Sequence, residues 1–462
     1  MANGIMNVGV SGLRAAQVAL LTTSHNISNA TTPGYNRQQA IQSASTPLAN
    51  SDGFIGRGVQ ITTVQRIYNQ HLASQSLQAQ SQSSQLDSHY NEIKQIDNLL
   101  ADTTSGLTPA LHNFFNAVQD VASNPASISS RQAMLSNAEA LTARFQQMDQ
   151  RLSEMREGVN SQITGSVTEI NSLAQQIAGL NMNIQAVEAS ANGQPANDLL
   201  DQRDALVRDL SRIVNVDVVR QNNGHYNVFI GNGQSLVVGS SAMTLKAVPS
   251  SSDPQRLVVA MDQQSGEIVL PEHQLQGGSL GGLLAFRSET LDSVQNSFDQ
   301  LAQGIADTFN DQHVQGLDLQ GDSGVDFFTI TDPDHAARNI RVAISDPAKI
   351  AAADSDGGVS NNINALSLAK LQTENTLQGG TASYQSAYAR LVSQVGNKTR
   401  ELEVTSKAQE SMLNQTDQAL QSLSGVNLEE EAANLLRYQQ MFQASSKVIE
   451  IGNSLFDSLL RI

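Results

Sequence analysis

The chain contains no cysteine and no tryptophan in 462 residues. Without cysteine there can be no disulfide, no thiolate catalysis and no cysteine-based zinc or iron–sulfur site. Charge is scarce as well: Asp, Glu, Lys and Arg make up 15% of the residues, and Ser, Gln and Asn take their place. Such a surface suits dense packing of many copies, and equally an ordinary polar extracellular surface. The charge present leans acidic, 44 Asp and Glu against 27 Lys and Arg for a formal net charge of −17. Nucleic acid and anionic membrane surfaces are therefore poor partners. No apolar run approaches the roughly 20 residues that span a bilayer, so no membrane insertion is expected. The N-terminus lacks the basic cluster and apolar core of a conventional secretory signal. The first acidic residue is Asp52, and before it only Arg14 and Arg37 carry full charge. One amphipathic face without a partner cannot offset its ordering entropy, so this segment has little reason to fold alone.

What the chain does have is periodicity at both ends. Met6, Leu13, Leu20 and Ile27 fall seven apart, and so do Leu428, Leu435, Phe442, Ile449 and Phe456, flanked by Met441, Val448 and Leu455. A seven-residue repeat is 3.5 residues per turn, the period of a helix that buries one seam against another helix. The two remote helices predict a folded-back rod whose termini meet. Leu13, Leu20, Ile27, Leu428, Leu435, Phe442, Ile449 and Phe456 are the candidate assembly residues. Part of their surface is expected to zip within the chain and part to be covered by neighbouring copies.

Between the ends the period alternates between helix and strand. Asn, Thr, Pro and Gly from Asn26 to Gly34 stop the first helix. A loop through Pro47 leads to a short extended piece at Val59, Ile61 and Val64, and a helix is expected from Arg66 with Leu72, Ala79, Leu86, Ile93 and Leu100 inward. Leu111, Phe114, Phe115, Val118 and Val121 predict a short apolar helix. Residues 130–191 predict a helix of about 60 residues, roughly 90 Å long. A helix over 198–213, with Leu199, Leu206 and Leu210 inward, precedes a change to period two. Strands are expected at 214–218, 226–230, 236–238, 243–248, 257–261 and 267–270, with a hairpin turn at Asn222-Asn223-Gly224. Leu291, Val294, Phe298, Leu301, Ile305 and Phe309 mark a further helix. Short strands at 327–330 and 340–344 are assigned to the same β domain. Tyr384, Tyr388, Leu391, Val395, Leu402, Met412 and Leu423 carry the helical rod back toward Gly425. Asn427 with Glu430 is a capping-box-like start, and local helix chemistry accounts for the acidic run Glu429-Glu430-Glu431.

The ends also carry motifs. Gly12-Leu13-Arg14-Ala15-Ala16-Gln17, Ser24-His25-Asn26-Ile27-Ser28-Asn29 and Thr32-Pro33-Gly34-Tyr35 resemble the N-terminal signature of bacterial flagellar axial proteins. Asn427-Leu428-Glu429-Glu430-Glu431-Ala432-Ala433-Asn434-Leu435-Leu436-Arg437-Tyr438-Gln439-Gln440 resembles the C-terminal one. The signature positions are Asn26, Asn29, Pro33, Gly34, Tyr35, Tyr438 and Gln439. Gly281-Gly282-Leu283-Leu284-Ala285-Phe286-Arg287-Ser288 and Ala306-Asp307-Thr308-Phe309-Asn310-Asp311 are similar to the hook-associated protein 1 family, proteins of the hook–filament junction. The chain departs from larger members in having room for one modest β insert.

The resemblance implies a mainly α fold with an inserted β domain, an elongated coiled-coil and helical-bundle rod with paired terminal helices. Residues 1–68 with 425–462 would form the terminal coiled coil of an inner tube. Residues 69–213, 279–316 and 359–424 would form the helical bundle, and 214–278 with 317–358 an outer, removable β domain. It further implies a structural part joining hook to filament and a platform for filament growth. The implied partners are further copies of the chain, the hook protein, the second junction hook-associated protein, an export chaperone and the type III export apparatus. Other readings are another axial protein of rod or hook, or a secreted binding or hydrolytic module on a flagellar-type tail.

Catalytic patterns are weak. The eight histidines show no metal-ligand spacing, there is no G-x-S-x-G elbow, and His25 near a helix end fits capping or packing better than catalysis. Asp318-Leu319-Gln320-Gly321-Asp322 is faintly like a calcium loop, but lacks the closing Glu. No enzyme activity, metal or cofactor is expected.

Overall fold

A computed structural model describes residues 2–50, 53–102, 106–221, 224–263 and 266–460. Asn222 and Asn223 of the expected hairpin turn lie outside the described residues.

Helix α1 (Ala2–Ser28) ends as the Asn/Thr/Pro/Gly run predicts, and Gly34 takes φ +79°, a left-handed conformation open to glycine without a Cβ penalty. Strand β1 (Gln38–Ala44) then pairs antiparallel with β4 (Val59–Arg66), and β2 (Leu48–Asn50) with β3 (Gly53–Ile55) forms a hairpin between them. β1 replaces part of an expected loop. Its Gln- and Ser-rich sequence has no apolar alternation, and only pairing with β4 makes it a strand. Arg66 is likewise the last residue of β4, not a helix start. Helix α2 (Gln70–Ala101) opens at Asn69, whose side chain accepts from the amides of His71 and Leu72.

The rod is built from α2, α3 (Leu107–Ser123), α4 (Ile128–Ser190) and α5 (Asn197–Ile213). The 63 residues of α4 span ~95 Å, and its expected seam is buried from Phe145 to Ile184 except at Met155 and Leu180, which are half-buried, whereas Val187 is exposed. α5 is turned from expectation: Leu200, Val207 and Leu210 are buried, Leu199 and Leu206 half-buried, and Asp201 and Arg203 share the inward face.

Strands β5 (Val216–Arg220), β6 (Tyr226–Ile230), β7 (Gln234–Val238) and β8 (Ser241–Ala242) form one antiparallel sheet. β9 (Thr244–Pro249), β10 (Leu257–Gln263) and β11 (Gly266–Val269) form a second, ordered β11-β10-β9. Both lie along α4, where two asparagine amides mimic the missing strand neighbour. Asn171 accepts from Leu245 N and donates to Leu245 O, both at 2.8 Å. Asn181 donates to Tyr226 O at 2.9 Å and accepts from Tyr226 N at 3.2 Å.

Helix α6 (Gly278–Ala285), a π-helical turn (Phe286–Leu291) and α7 (Asp292–His313) return along the rod. β12 (Phe328–Thr329) and β13 (Arg341–Val342) flank the short α8 (Ala336–Asn339). They pair only with each other, so their assignment to the same β domain is corrected. The reason is aromatic. Phe327 and Phe328 pack in tilted and edge-to-face pairs against Phe114 of α3 and Phe309 of α7, with ring centroids 5.0–6.1 Å apart, so this segment belongs to the core of the rod.

The β segments are also pinned by buried guanidinium groups. Arg203 donates to Asn181 Oδ1 and Gly224 O and lies 3.5 Å from the centroid of the Tyr226 ring. Arg287, fully buried, donates to Leu257 O and pairs with Glu272. Arg131 donates to the carbonyls of Pro125 and Ile350. An unpaired buried charge costs several kcal/mol, so removing the β segments would strip these arginines of partners they have in the intact chain.

After α9 (Ile363–Lys370), α10 (Tyr384–Ser424) runs back beside α2. Tyr384 to Leu402 keep their expected seam, but Met412 and Leu423 are exposed, and Thr416, Leu420 and Ser424 are buried instead. The polar contact here, Ser76 Oγ donating to Asp417 at 2.6 Å, lies on that rotated face. α11 (Leu428–Leu460) closes the chain.

Candidate assembly interface

α1 and α11 pack antiparallel, but along a line that differs from the heptad leucines. Gly9 faces Ile449, Gly12 faces Ser445 and Gly452 faces Met6. A Cβ on Gly9 would stand 2.7 Å from Ile449 Cγ1. The stripe buried on α1 is made of small and polar residues, Gly9, Ala16, Ala19, Thr23 and Asn26. Leu13, Leu20 and Ile27 flank it, half-buried. Leu435, Phe442 and Ile449 are half-buried too, whereas Leu428 and Phe456 are 53% and 43% exposed. The physical reason is that α1 is wedged between α11 and the β1–β4 pair; small side chains let backbones approach, and the large ones move to the rim.

The pair thus leaves apolar surface open. Val448, Ile451 and Leu455 continue a 4-3-4 spacing from the exposed Ala444; Val448 touches α1 beside Gly9 with part of its side chain, and Ile451 and Leu455 stand exposed. Leu21 on α1 and Leu436 on α11 are also exposed. By length and composition Gly4–Ser28 is apolar enough to cross a bilayer, with a mean hydropathy of 1.2, which corrects the expectation that no stretch comes near. In this fold one side of that helix carries the Asn26 joint and the contact with α11.

The joint is polar and buried. Asn26 uses its whole amide: Nδ2 donates to Gln38 O at 2.9 Å and to Glu431 Oε2 at 3.1 Å, and Oδ1 accepts from Gln38 N at 2.9 Å and from Tyr35 OH at 2.7 Å. His25 Nδ1 lies 3.0 Å from the Tyr35 oxygen. Arg37 pairs with Glu431 and Glu430, both at 2.7 Å, and its backbone N–H donates to Ser424 O. A second cluster ties the same segment to the rod. Asp201 accepts from Asn36 N at 3.0 Å, Asn36 Nδ2 at 2.6 Å and Arg66 at 2.7 Å, and Arg66 also reaches Asp204 at 2.6 Å. Burial opposes the charge of Arg66, yet Asp204 and Asp201 together hold it above its ordinary value.

Of the signature residues, the joint gathers Asn26 and Tyr35, with Gly34 turning the chain between them. Asn29 closes the helix end through His25 O, and Pro33 is exposed. Tyr438 packs under Arg437 and Gln439 faces outward, away from the joint. The acidic run of α11 is more than local helix chemistry. Asn427 does cap the amides of Glu429 and Glu430, but Glu431 is 1% exposed and serves Asn26 and Arg37. Asp201, Asp204 and Arg66 were legible only as charges in a chain poor in them; with Leu199, Leu206 and Leu210 inward as expected, Asp201 falls on the opposite face.

The other chemical candidates are occupied by packing. Lys349 Nζ sits 3.1 Å from Asp318 and 3.0 Å from Asp322, filling the faint calcium loop with a protein cation. No group of three or more potential metal ligands occurs among the described residues.

Comparison with known proteins follows the same division. Residues 6–36 match the family described as flagella basal body rod protein, and residues 416–462 the flagellar basal body rod FlgEFG protein C-terminal family. The paired ends are thus those of a flagellar axial protein. Residues 93–328 match the flagellar hook-associated protein FlgK helical domain. Flagellar hook-associated protein 1 of Escherichia coli (strain K12) is 37% identical, and that of Salmonella typhimurium 38%, each over all of both chains. The E. coli alignment runs 545 positions against 462 residues here, so that relative carries segments this chain lacks. The solved flagellar hook junction protein FlgK from Burkholderia pseudomallei is 25% identical, with a TM-score of 0.71 over 76% of this chain and 100% of that one. The chain belongs to the flagellar hook-associated protein 1 family. It is a structural protein of the extracellular bacterial flagellum, at the hook–filament junction.

Proposed function

We propose that the chain joins hook to filament by assembling with its own copies into a closed or helical layer through heterologous contacts, and that this layer is the platform for filament growth. The α1–α11 pair (residues 1–68 with 425–462) would face the inner tube, the helical rod (69–213, 279–316 and 359–424) the next shell, and the β segments outward. The observation that carries the reading is the half-covered terminal pair. Leu13, Leu20, Ile27, Leu435, Phe442 and Ile449 are only partly buried, and Leu428 and Phe456 stand exposed, with Ile451 and Leu455, on α11. Apolar area left in water favours burial against a neighbour at about 25 cal/mol per Å².

Hook protein and the second junction hook-associated protein are the partners at the two ends of this layer. Export would proceed with the chain unfolded, through the type III apparatus, with a chaperone covering the tail after Gly425. The weakly charged N-terminal segment, which gains its fold only from α11 and the β1–β4 pair, supports that route. We further infer a purely structural role without catalysis: the buried histidines His89 and His313 are engaged by Thr290, and by Val325 O and Ala351 N.

Electron microscopy of a deletion strain tests the role. Complete hooks without filaments are expected, and missing hooks would refute it. Serine at both Leu20 and Phe442 should abolish filament attachment while the rod still folds; normal filaments in that strain would remove the basis of the assembly reading.

A further inference from the structure

Two features near the terminal joint are complementary and do not meet within one chain. The first is the β2–β3 hairpin, where Phe54 is 79% and Ile55 55% exposed. Arg57 follows them, exposed and without an ion pair among the described residues. The second is the outer edge of β4, which has a strand on one side only. That edge walls an open cleft of about 580 Å³, lined by Ile61, Val64, Val187, Pro195, Asn197 and Leu199. The amides of Gln194 and Asn197 cover the carbonyls of Thr62 and Val64 along the edge, at 3.2 and 2.8 Å. Asn197 itself is 8% exposed, and its Oδ1 accepts no hydrogen bond. Asp198 stands on the rim with its side chain 60% exposed.

An apolar cleft beside a strand edge is the setting in which an extended segment is recognised. We propose that the β2–β3 hairpin of a second copy docks in this cleft. Phe54 and Ile55 fill the space between Ile61, Val187 and Leu199, and Arg57 faces Asp198. The opposite charges of Arg57 and Asp198 set the direction of approach. Knob and cleft lie at different places on one chain, so the contact is head-to-tail and repeats from copy to copy.

The proposal rests on assembly of like copies, and its test separates the two. The chain has no cysteine, so two variants, Phe54→Cys and Val187→Cys, can be expressed together in one deletion strain. Both positions are exposed, and neither change disturbs a packed side chain. Isolated hook–filament structures are treated with a short thiol–thiol cross-linker and run on a denaturing gel. A dimer from the mixed strain, absent when either variant is expressed alone, is the expected result. Incorporation of both variants without a dimer overturns the hairpin contact and leaves assembly standing. Isolated structures that contain neither variant, while the wild-type chain is equally absent from its own, would overturn the assembly reading and the contact with it.

Discussion

Asn26 and Glu431 lie 405 positions apart and share a hydrogen bond of 3.1 Å in a buried site. Through it the last helix is held to the first, and through Arg37 and Asn36 both are held to the rod. Apolar seams give the terminal pair its attraction, while this joint gives it a direction.

Replacing Glu431 with Ala should cost about 2–4 kcal/mol, since Arg37 and Asn26 both lose a buried partner. Glu430 remains beside Arg37 and keeps the loss toward the lower end. Hydrogen exchange along α11 should rise strongly while α4 is unchanged. Equal protection in both proteins would mean that the joint does not restrain the pair.

Gly9 and Gly12 should behave differently although both face α11. At Gly12 the obstructing atom is Ser445 Oγ, which can rotate away, so Gly12→Ala should be neutral or slightly stabilising through the helix propensity of alanine, worth about 1 kcal/mol. At Gly9 the added Cβ meets Ile449 Cγ1 and Val448 Cγ1 together, and Gly9→Ala should destabilise by about 1–2 kcal/mol. Urea melts of the two variants should shift in opposite directions or by clearly unequal amounts.

Removing residues 214–278 and 317–358 should abolish cooperative folding, contrary to the idea of a dispensable outer domain. Arg287 would lose both Leu257 O and Glu272, at about 3–5 kcal/mol, while Arg131 would keep Pro125 O but lose Ile350 O, and Arg203 would keep Asn181 Oδ1 but lose Gly224 O and the Tyr226 ring. Circular dichroism should show a broad, low-temperature melt. A sharp transition near that of the intact chain would show the arginines to be dispensable.

Stability should fall in mild acid. Burial pushes the imidazoles of His89 and His313 down to about 4, against roughly 6.5 in the unfolded chain. The unfolded state therefore takes up protons first, and stability present above about pH 6.5 is lost as pH falls toward 4. At pH 5 this amounts to about 2 kcal/mol for each histidine. Asp299, pushed up to about 6 by burial, acts in the opposite sense and returns about 1 kcal/mol over the same interval. Urea midpoints at pH 7 and pH 5 measure the sum, and His313→Gln should reduce the difference by about half of the histidine share.

Much of this architecture was legible beforehand. The long helices of the rod, the period-two strands β5–β7 and β9–β11 and the meeting of the two ends follow from apolar spacing, because burying a seam is a local demand that every turn repeats; the two-residue β8 and the short α9 were not foreseen. Phe114, Ile163 and Phe298 sit where that demand puts them. β1 was not legible, since a Gln- and Ser-rich strand is made by its neighbour. Nor was the placement of Leu13, Leu20 and Ile27 at the rim. Spacing shows which residues share a face, but not that a second neighbour, the β1–β4 pair, would press α1 close enough to need Gly9 and Ala16 at the contact.

The sequence by itself determined a mainly helical, twice-interrupted rod with dependent ends, and its terminal motifs pointed to a flagellar axial protein. Tertiary structure alone decided that Arg37 meets Glu431, that Arg66 meets Asp201, and that residues 317–358 join the core of the rod. Periodic burial is written into neighbouring residues and can be read in order along the chain. Which charge meets which depends on separations of hundreds of residues, and is fixed only when packing brings those surfaces together and excludes the water between them.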